Sequence, residues 1–124
     1  MVYFPDNIEH WKIIASLINQ SDRIFISSHI NPDGDAIGSE MAFAGFLNNM
    51  NKTCRIINHF STPEMYKFLD PKNIIESYPE NDHLQDPPEN NDLVIFLDIG
   101  SYNRVGEVRD FLVNNEAQIG RAHV

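Results

Sequence analysis

Two spacings of apolar residues alternate along this chain, one helical and one continuous. From Asp6 to Gln20, the residues Ile8, Trp11, Ile14, Ala15, Leu17 and Ile18 recur at helical spacing, which predicts an amphipathic helix with Asp6 or Asn7 as its N-cap. Ser21-Asp22 breaks that pattern, and Arg23 to Ser28 is a short, nearly continuous apolar run of the kind buried on both faces of a parallel sheet. After a turn through Asn31-Pro32-Asp33-Gly34, the positions Ala36, Ile37, Met41, Ala42, Ala44, Phe46 and Leu47 predict a second helix that stops near Asn48-Asn49. Thr53 to Asn58 reads as a second strand. Thr62-Pro63 then offers an N-cap and a first-turn proline for a short helix through Phe68.

Ile74-Ile75-Glu76 suggests a brief strand, and Tyr78 to Asn91, with three prolines and three asparagines, reads as a surface connection. Leu93-Val94-Ile95-Phe96-Leu97 is the clearest buried strand and ends on Asp98. Gly100 and Ser101 follow, and Val105, Val108, Phe111 and Leu112 predict a helix beginning near Arg104. Strands alternating with helices imply β-α-β crossovers and a parallel, doubly wound α/β sheet of Rossmann-like type. Phe43, Phe46, Phe96 and Phe111 fall at core periodicity and are assigned to the core.

Composition narrows the function classes. The chain of 124 residues is 42% apolar, enough for one domain with its own core. Nine basic residues against 18 acidic ones give a net charge of −9, so no broad basic face is available for a long nucleic-acid duplex. Any phosphate is expected to meet a metal ion or backbone N–H groups. Cys54 is the sole cysteine, which excludes an intrachain disulfide and fits a reducing cytoplasm. With no basic leader and no apolar run near the roughly 20 residues that span a bilayer, the expectation is a soluble, cytoplasmic protein without a membrane partner.

The end of the chain reads in two parts. Ala117-Gln118-Ile119 has the character of an opening strand. The last six residues, Ile-Gly-Arg-Ala-His-Val, are also what one frame of a common sequencing-library adapter encodes, so residues 119–124 are expected to be a non-native tail on a truncated domain of residues 1–118. On that reading His123 has no functional meaning.

The chemistry concentrates where the first apolar run stops. His29 is followed at four and six residues by Asp33 and Asp35, and Asp98 closes the second buried strand. In an open α/β sheet, ligands collect outside the carboxyl ends of strands, so adjacent strands would bring His29, Asp33, Asp35 and Asp98 into one crevice. Carboxylates gathered there repel one another unless a cation is present. One imidazole with several carboxylates and no thiolate suits manganese or magnesium rather than structural zinc. Two such ions about 3.5–4 Å apart would serve phosphoester hydrolysis.

Each residue also has a plain structural reading. Asn-Pro-Asp-Gly is a good turn, Asp33 or Asp35 would serve as a helix cap, His29 as a structural histidine and Asp98 as a strand-end turn former. Gly38 reads as a close-packing position, and Ser39 sits where first-turn amides face a phosphate. Arg104 is either a substrate contact or a surface arginine. His10, His59 and His83 default to solvent-exposed roles. The conjunction of two strand ends carrying potential ligands favours the metal site.

Ser28-His29-Ile30-Asn31-Pro32-Asp33-Gly34-Asp35-Ala36-Ile37-Gly38-Ser39 closely resembles the first motif of the DHH phosphoesterase superfamily, and Leu93 to Gly100 is similar to its second. With Pro63-Glu64-Met65-Tyr66-Lys67-Phe68-Leu69, the resemblance is nearest to the branch containing nanoRNases, which degrade very short oligoribonucleotides and dephosphorylate 3′-phosphoadenosine 5′-phosphate. It covers roughly Arg23 to Asn115.

The resemblance implies that His29 and Asp33 hold a first manganese ion, Asp35 belongs to a second, and Asp98 bridges the two. Asp35 and Asp98 are then the catalytic carboxylates of a two-metal water activation, with Ser39 and Arg104 as substrate contacts. The Asp-His-His motif that names the superfamily, a later aspartate ligand and the C-terminal substrate-gripping domain have no counterpart in the sequence, so the chain is expected to be an inactive N-terminal part. Short oligoribonucleotides or small nucleotides are the expected substrates, with a homodimer left open. A cyclic dinucleotide phosphodiesterase, a pyrophosphatase and a non-catalytic nucleotide-binding or regulatory domain are the alternatives.

Overall fold

Two apolar runs without a polar face, Arg23–Ser27 and Leu93–Leu97, become the strands β1 and β4 at the centre of a parallel sheet. The computed structural model describes residues 8–78, 84–97, 105–113 and 118–122. In chain order these form α1 (Ile8–Gln20), β1 (Arg23–Ser27), α2 (Gly34–Asn49), β2 (Thr53–Asn58), a 3-10 helix (Glu64–Leu69), β3 (Glu76–Ser77), β4 (Leu93–Leu97), α3 (Val108–Val113) and β5 (Gln118–Ala122). The sheet order is β3-β2-β1-β4-β5, and every pairing is parallel. From β1 the chain winds outward through β2 and β3, then crosses back to β4. The winding reverses between β1 and β4, where Ile24 pairs with Leu93 and Ser27 with Phe96.

Alternation along the strands sorts two cores. Ile24 and Ile26 pack with Ile18, Ala44 and Leu47 under α1 and α2, whereas Phe25, Val94 and Phe96 pack with Val105, Val108 and Leu112 on the α3 side. A sheet covered on both faces has little use for polar positions, which is why β1 and β4 read as continuous apolar runs.

Polar groups lock the amino ends of the strands. Asp92 accepts from the Arg23 backbone N–H at 3.1 Å and from its guanidinium Nη2 at 2.7 Å. Asp22 N–H donates to the Asn91 carbonyl at 2.9 Å, fixing the start of β1 beside the start of β4. Arg55 makes a two-nitrogen contact with Glu76 at 2.6 and 2.9 Å, tying β2 to the two-residue β3. Paired geometry of this kind holds strand register.

The sheet class, β2 and β4 fall where the pattern places them, and β1 stops one residue early, at Ser27. Other positions are corrected. Pro63 is the N-cap of the helix at 64–69, no side chain caps it, and the helix is 3-10 because none of its residues is buried to hold a longer amphipathic face. The third strand is Glu76–Ser77, and α3 begins at Val108. Phe46 is 55% exposed, because the buried stripe of α2 runs through Ala36, Ile37, Glu40, Ala44 and Leu47 and turns residue 46 outward.

β5 takes in Gln118 together with Ile119 to Ala122, residues expected to be non-native; its parallel pairing with β4 uses backbone groups, which any non-proline sequence supplies. Asp6, Asn7, His83, Asp98, Gly100, Ser101, Arg104, Ala117 and His123 lie outside the described residues, as does the side chain of His10. No described helix is long and apolar enough to cross a membrane.

Phe96 is fully buried in the α3-side core. Phe96→Ala is expected to lower the unfolding free energy by about 3–5 kcal/mol, measured by urea denaturation followed by circular dichroism. A loss under 1 kcal/mol would show that this face is not a packed core.

Candidate functional site

The turn between β1 and α2 begins where the sheet lets go of the chain. Ser27 and Ser28 are buried, His29 is half-buried, and Pro32 is buried beneath the exposed Asp33. Asp33 has extended backbone angles and is the N-cap of α2: its Oδ1 accepts from the Ala36 N–H at 2.9 Å and its carbonyl from the Ile37 N–H at 3.0 Å. The capping reading of Asp33 therefore holds. The same Oδ1 lies 3.8 Å from His29 Nε2. Asp35 occupies the exposed first turn of α2, where the helix dipole favours a carboxylate.

The 3-10 helix backs this turn. A Cβ on Gly34 would stand 3.2 Å from Tyr66 Cε1, so the Tyr66 ring packs close under the turn and would have to give by a few tenths of an ångström to admit a side chain there. Gly38 differs: nothing lies within 4 Å of where its Cβ would stand, so close packing is not the reason for glycine at that position. Ser39 follows it, half-buried on α2.

His59 is not a surface histidine. It is buried at the end of β2, its Nδ1 accepts from the Glu107 N–H at 3.1 Å, and its ring stacks edge-on against Phe60. Gly106, with φ +89°, runs so close to this ring that a Cβ would fall 2.7 Å from Cγ. The imidazole thus anchors the segment leading into α3 to the carboxyl edge of the sheet. An accepting Nδ1 leaves the proton of a neutral ring on Nε2.

Glu40 is the other residue that pattern reading passed over. It is fully buried on the core stripe of α2, where its Oε1 accepts from Asn58 Nδ2 at 2.9 Å and its Oε2 has no partner. Burial pushes its pKa up to about 8, against the opposing pull of Asn58 and the Ser28 hydroxyl and with a further push from Asp70. The signal was the helical spacing 36, 37, 40, 44, 47, which puts Glu40 among apolar positions. Burial, with Glu40 adding to it, also pushes the Cys54 thiol up to about 12, which favours its protonated form.

His29, Asp33, Asp35 and Ser39 are brought to one end of the sheet, at the reversal between β1 and β4. Asp98, which follows β4 in the sequence, and Arg104 lie outside the described residues. Among the described residues no three His, Cys, Asp or Glu side chains converge on a common point. The described pair is nevertheless a fitting partial donor set: an imidazole nitrogen and a carboxylate oxygen 3.8 Å apart can both reach a divalent cation at about 2.0–2.2 Å.

Comparison with known proteins bears on this geometry. A sequence profile described as the DHH family, N-terminal domain, matches residues 23–119. A bifunctional oligoribonuclease and PAP phosphatase NrnA from Thermus thermophilus is 28% identical over 86 residues, covering 68% of this chain and 23% of that protein. The crystal structure of an exopolyphosphatase-related protein from Bacteroides fragilis superposes with a TM-score of 0.80 at 23% identity, covering 93% of this chain and 34% of that one. The chain thus spans about a quarter of the first relative and a third of the second.

Glu40 gives a pH signature. Its folded pKa of about 8 stands above the ordinary 4.5, so across that window the folded state binds more protons than the unfolded one. The contribution of the neutral form is fully present below about pH 4.5 and is lost as pH rises through about 8, at up to about 1.4 kcal/mol per pH unit. Urea midpoints taken from pH 5 to 9 are expected to fall in the wild type relative to Glu40→Gln, whose curve lacks this slope. Parallel curves would refute the assignment.

Proposed function

The chain belongs to the DHH family, a family of metal-dependent phosphoesterases, and from that premise we propose that it is the N-terminal part of a manganese-dependent phosphohydrolase acting on short oligoribonucleotides and 3′-phosphoadenosine 5′-phosphate. The observation that carries this reading is the His29–Asp33 pair, held 3.8 Å apart outside the carboxyl end of β1 at the reversal of the sheet. The oligoribonuclease and PAP phosphatase relative supports the choice of substrate, and magnesium is the alternative metal.

Manganese, when bound, would supply Lewis-acid polarisation of a phosphoryl group and a more acidic water. His29 Nε2 and a carboxylate oxygen of Asp33 would hold it, with Asp35 and Asp98 serving a second ion and the link between the two. Because Asp33 Oδ1 already accepts from Ala36 N–H, the carboxylate is oriented before any cation arrives. Substrate phosphate would meet the first-turn amides of α2, the Ser39 hydroxyl and Arg104, so that a short, mobile nucleotide is bound without a basic face. The net charge of −9 disfavours long duplexes and leaves small substrates as the compatible class.

One imidazole and three carboxylates are too few donors to fill the shells of two ions that each take about six ligands. The 124-residue chain by itself is therefore expected to bind manganese weakly and to turn over no substrate. Residues 119–124 are read as a non-native tail on the strength of their sequence. The compartment is expected to be the cytoplasm.

Two measurements test this together. Sequencing the source locus past Gln118 is expected to reveal Asp-His-His within a few residues, and the protein so encoded is expected to release mononucleotides from a trinucleotide RNA with manganese. Asp33→Asn in that protein should cost at least 100-fold in rate. An open frame lacking Asp-His-His would favour a non-catalytic nucleotide-binding domain, and full activity of Asp33→Asn would remove the metal role.

A further inference from the structure

The carboxyl ends of β1 and β2 and the first turns of α2 converge on one side chain that the hydrolytic reading does not use. We propose that Glu40 is a positioning residue: its buried carboxyl group ties Ser28 and Asn58 to α2 and thereby holds the His29–Asp35 turn in the shape a divalent cation needs. The proposal rests on the metal-centre reading above for its purpose, and on the following contacts for its substance.

Glu40 Oε1 accepts from Asn58 Nδ2 at 2.9 Å, and Asn58 is the last residue of β2. Asn58 Oδ1 in turn accepts from the Ser28 hydroxyl at 3.5 Å, so Ser28 is joined to the Glu40 carboxyl through Asn58. Ser28 immediately precedes His29, while Glu40 stands about one and a half helical turns beyond Asp35. A rotation of α2, or a slip of either strand end, therefore breaks this cluster and moves the donors at the same time. All three side chains are fully buried, so water does not offer a substitute partner at low cost.

A leucine would fill this position with less penalty if filling were the only need. The groups that face the carboxyl are Asn58 and Cys54 from β2, Ser28 from the end of β1, and Asp70 from the end of the 3-10 helix. None of them is a cation, and the oxygens of Asp70 already accept from the Ile74 and Ile75 N–H groups at 2.9 Å each. A proton is what neutralises Glu40, and Oε2, which has no partner, is the atom free to carry it. In that state Glu40 is an uncharged acid that both accepts from Asn58 and keeps its own hydroxyl.

The test compares wild type, Glu40→Gln, Glu40→Leu and Asp33→Asn in the 124-residue chain. Manganese chloride is titrated at pH 7 and free ion is read by electron paramagnetic resonance. Amide hydrogen exchange is read without metal at Ala36 and Ile37, whose N–H groups bond Asp33, and at Val94 and Ile95 of β4 as the reference for the whole fold. Glu40→Gln, which mimics the neutral acid, is expected to stay within twofold of wild type in both readouts. Glu40→Leu is expected to weaken manganese binding at least tenfold and to speed exchange at Ala36 and Ile37 at least tenfold relative to β4.

Unchanged exchange at Ala36 and Ile37 in Glu40→Leu, or a Gln variant as impaired as the Leu variant, overturns the proposal. If wild type binds manganese no better than Asp33→Asn, the metal reading fails while the exchange arm still decides the role of Glu40. If Glu40→Leu loses protection in β4 as well, wild type is followed from pH 7 to 9 with correction for base catalysis. Exchange at Ala36 and Ile37 must then outpace β4 in wild type and not in Glu40→Gln, and the absence of that divergence also overturns the proposal.

Discussion

Pairing of β1 on both edges and packing on both faces is the constraint from which the remaining geometry follows. β2 lies on one side of it and β4 on the other, and its residues Ile24 to Ser27 are fully buried. Moving this strand would break two ladders and two cores together, so its carboxyl end is a fixed point of the fold. His29 comes two residues later and inherits that fixity. β1 leads into α2 on one face of the sheet, while α3 packs on the other.

The cap that Asp33 makes is compatible with the metal role proposed for it. The cap contributes about 1 kcal/mol to α2 and also holds the carboxylate in one orientation beside His29. A free aspartate would lose rotamer entropy on meeting a cation, whereas this one has already lost it to the helix. Tyr66 beneath Gly34 acts in the same direction, since the turn has a floor against which to keep its shape.

How far the sequence alone could be read depends on how many partners decide each residue. β4 was legible to the residue because burial on both faces leaves only a continuous apolar run there, and β2, exposed at Thr53 and buried only from Ile56, was legible from its strand-favouring residue types. The turn after β1 and the start of α2 at Asp33 were legible because turn chemistry and a helix cap coincide there within a few residues. Phe46 was not, since an apolar residue beside a buried stripe has the same periodicity as one within it, and only the angle at which α2 meets the sheet decides. His59 escaped because its partner is the backbone of Glu107, 48 positions away, and backbone partners leave no trace in side-chain pattern. Glu40 was present in the pattern as a charged residue on a core position, an inconsistency of the kind that marks functional sites.

The acids of this chain are divided by what can reach them. Asp33 and Asp35 stand in solvent at the start of α2, where an ion can arrive without displacing protein. Glu40, a few residues on, is closed off by Asn58, Ser28 and the sheet, and nothing larger than a proton can compensate it without opening the core. Carboxyl groups that are alike in the sequence thus take different chemistry from burial alone. Placing the sealed one where α2 meets both strand ends makes the shape of the exposed turn depend on a group that the turn's own ligands cannot disturb.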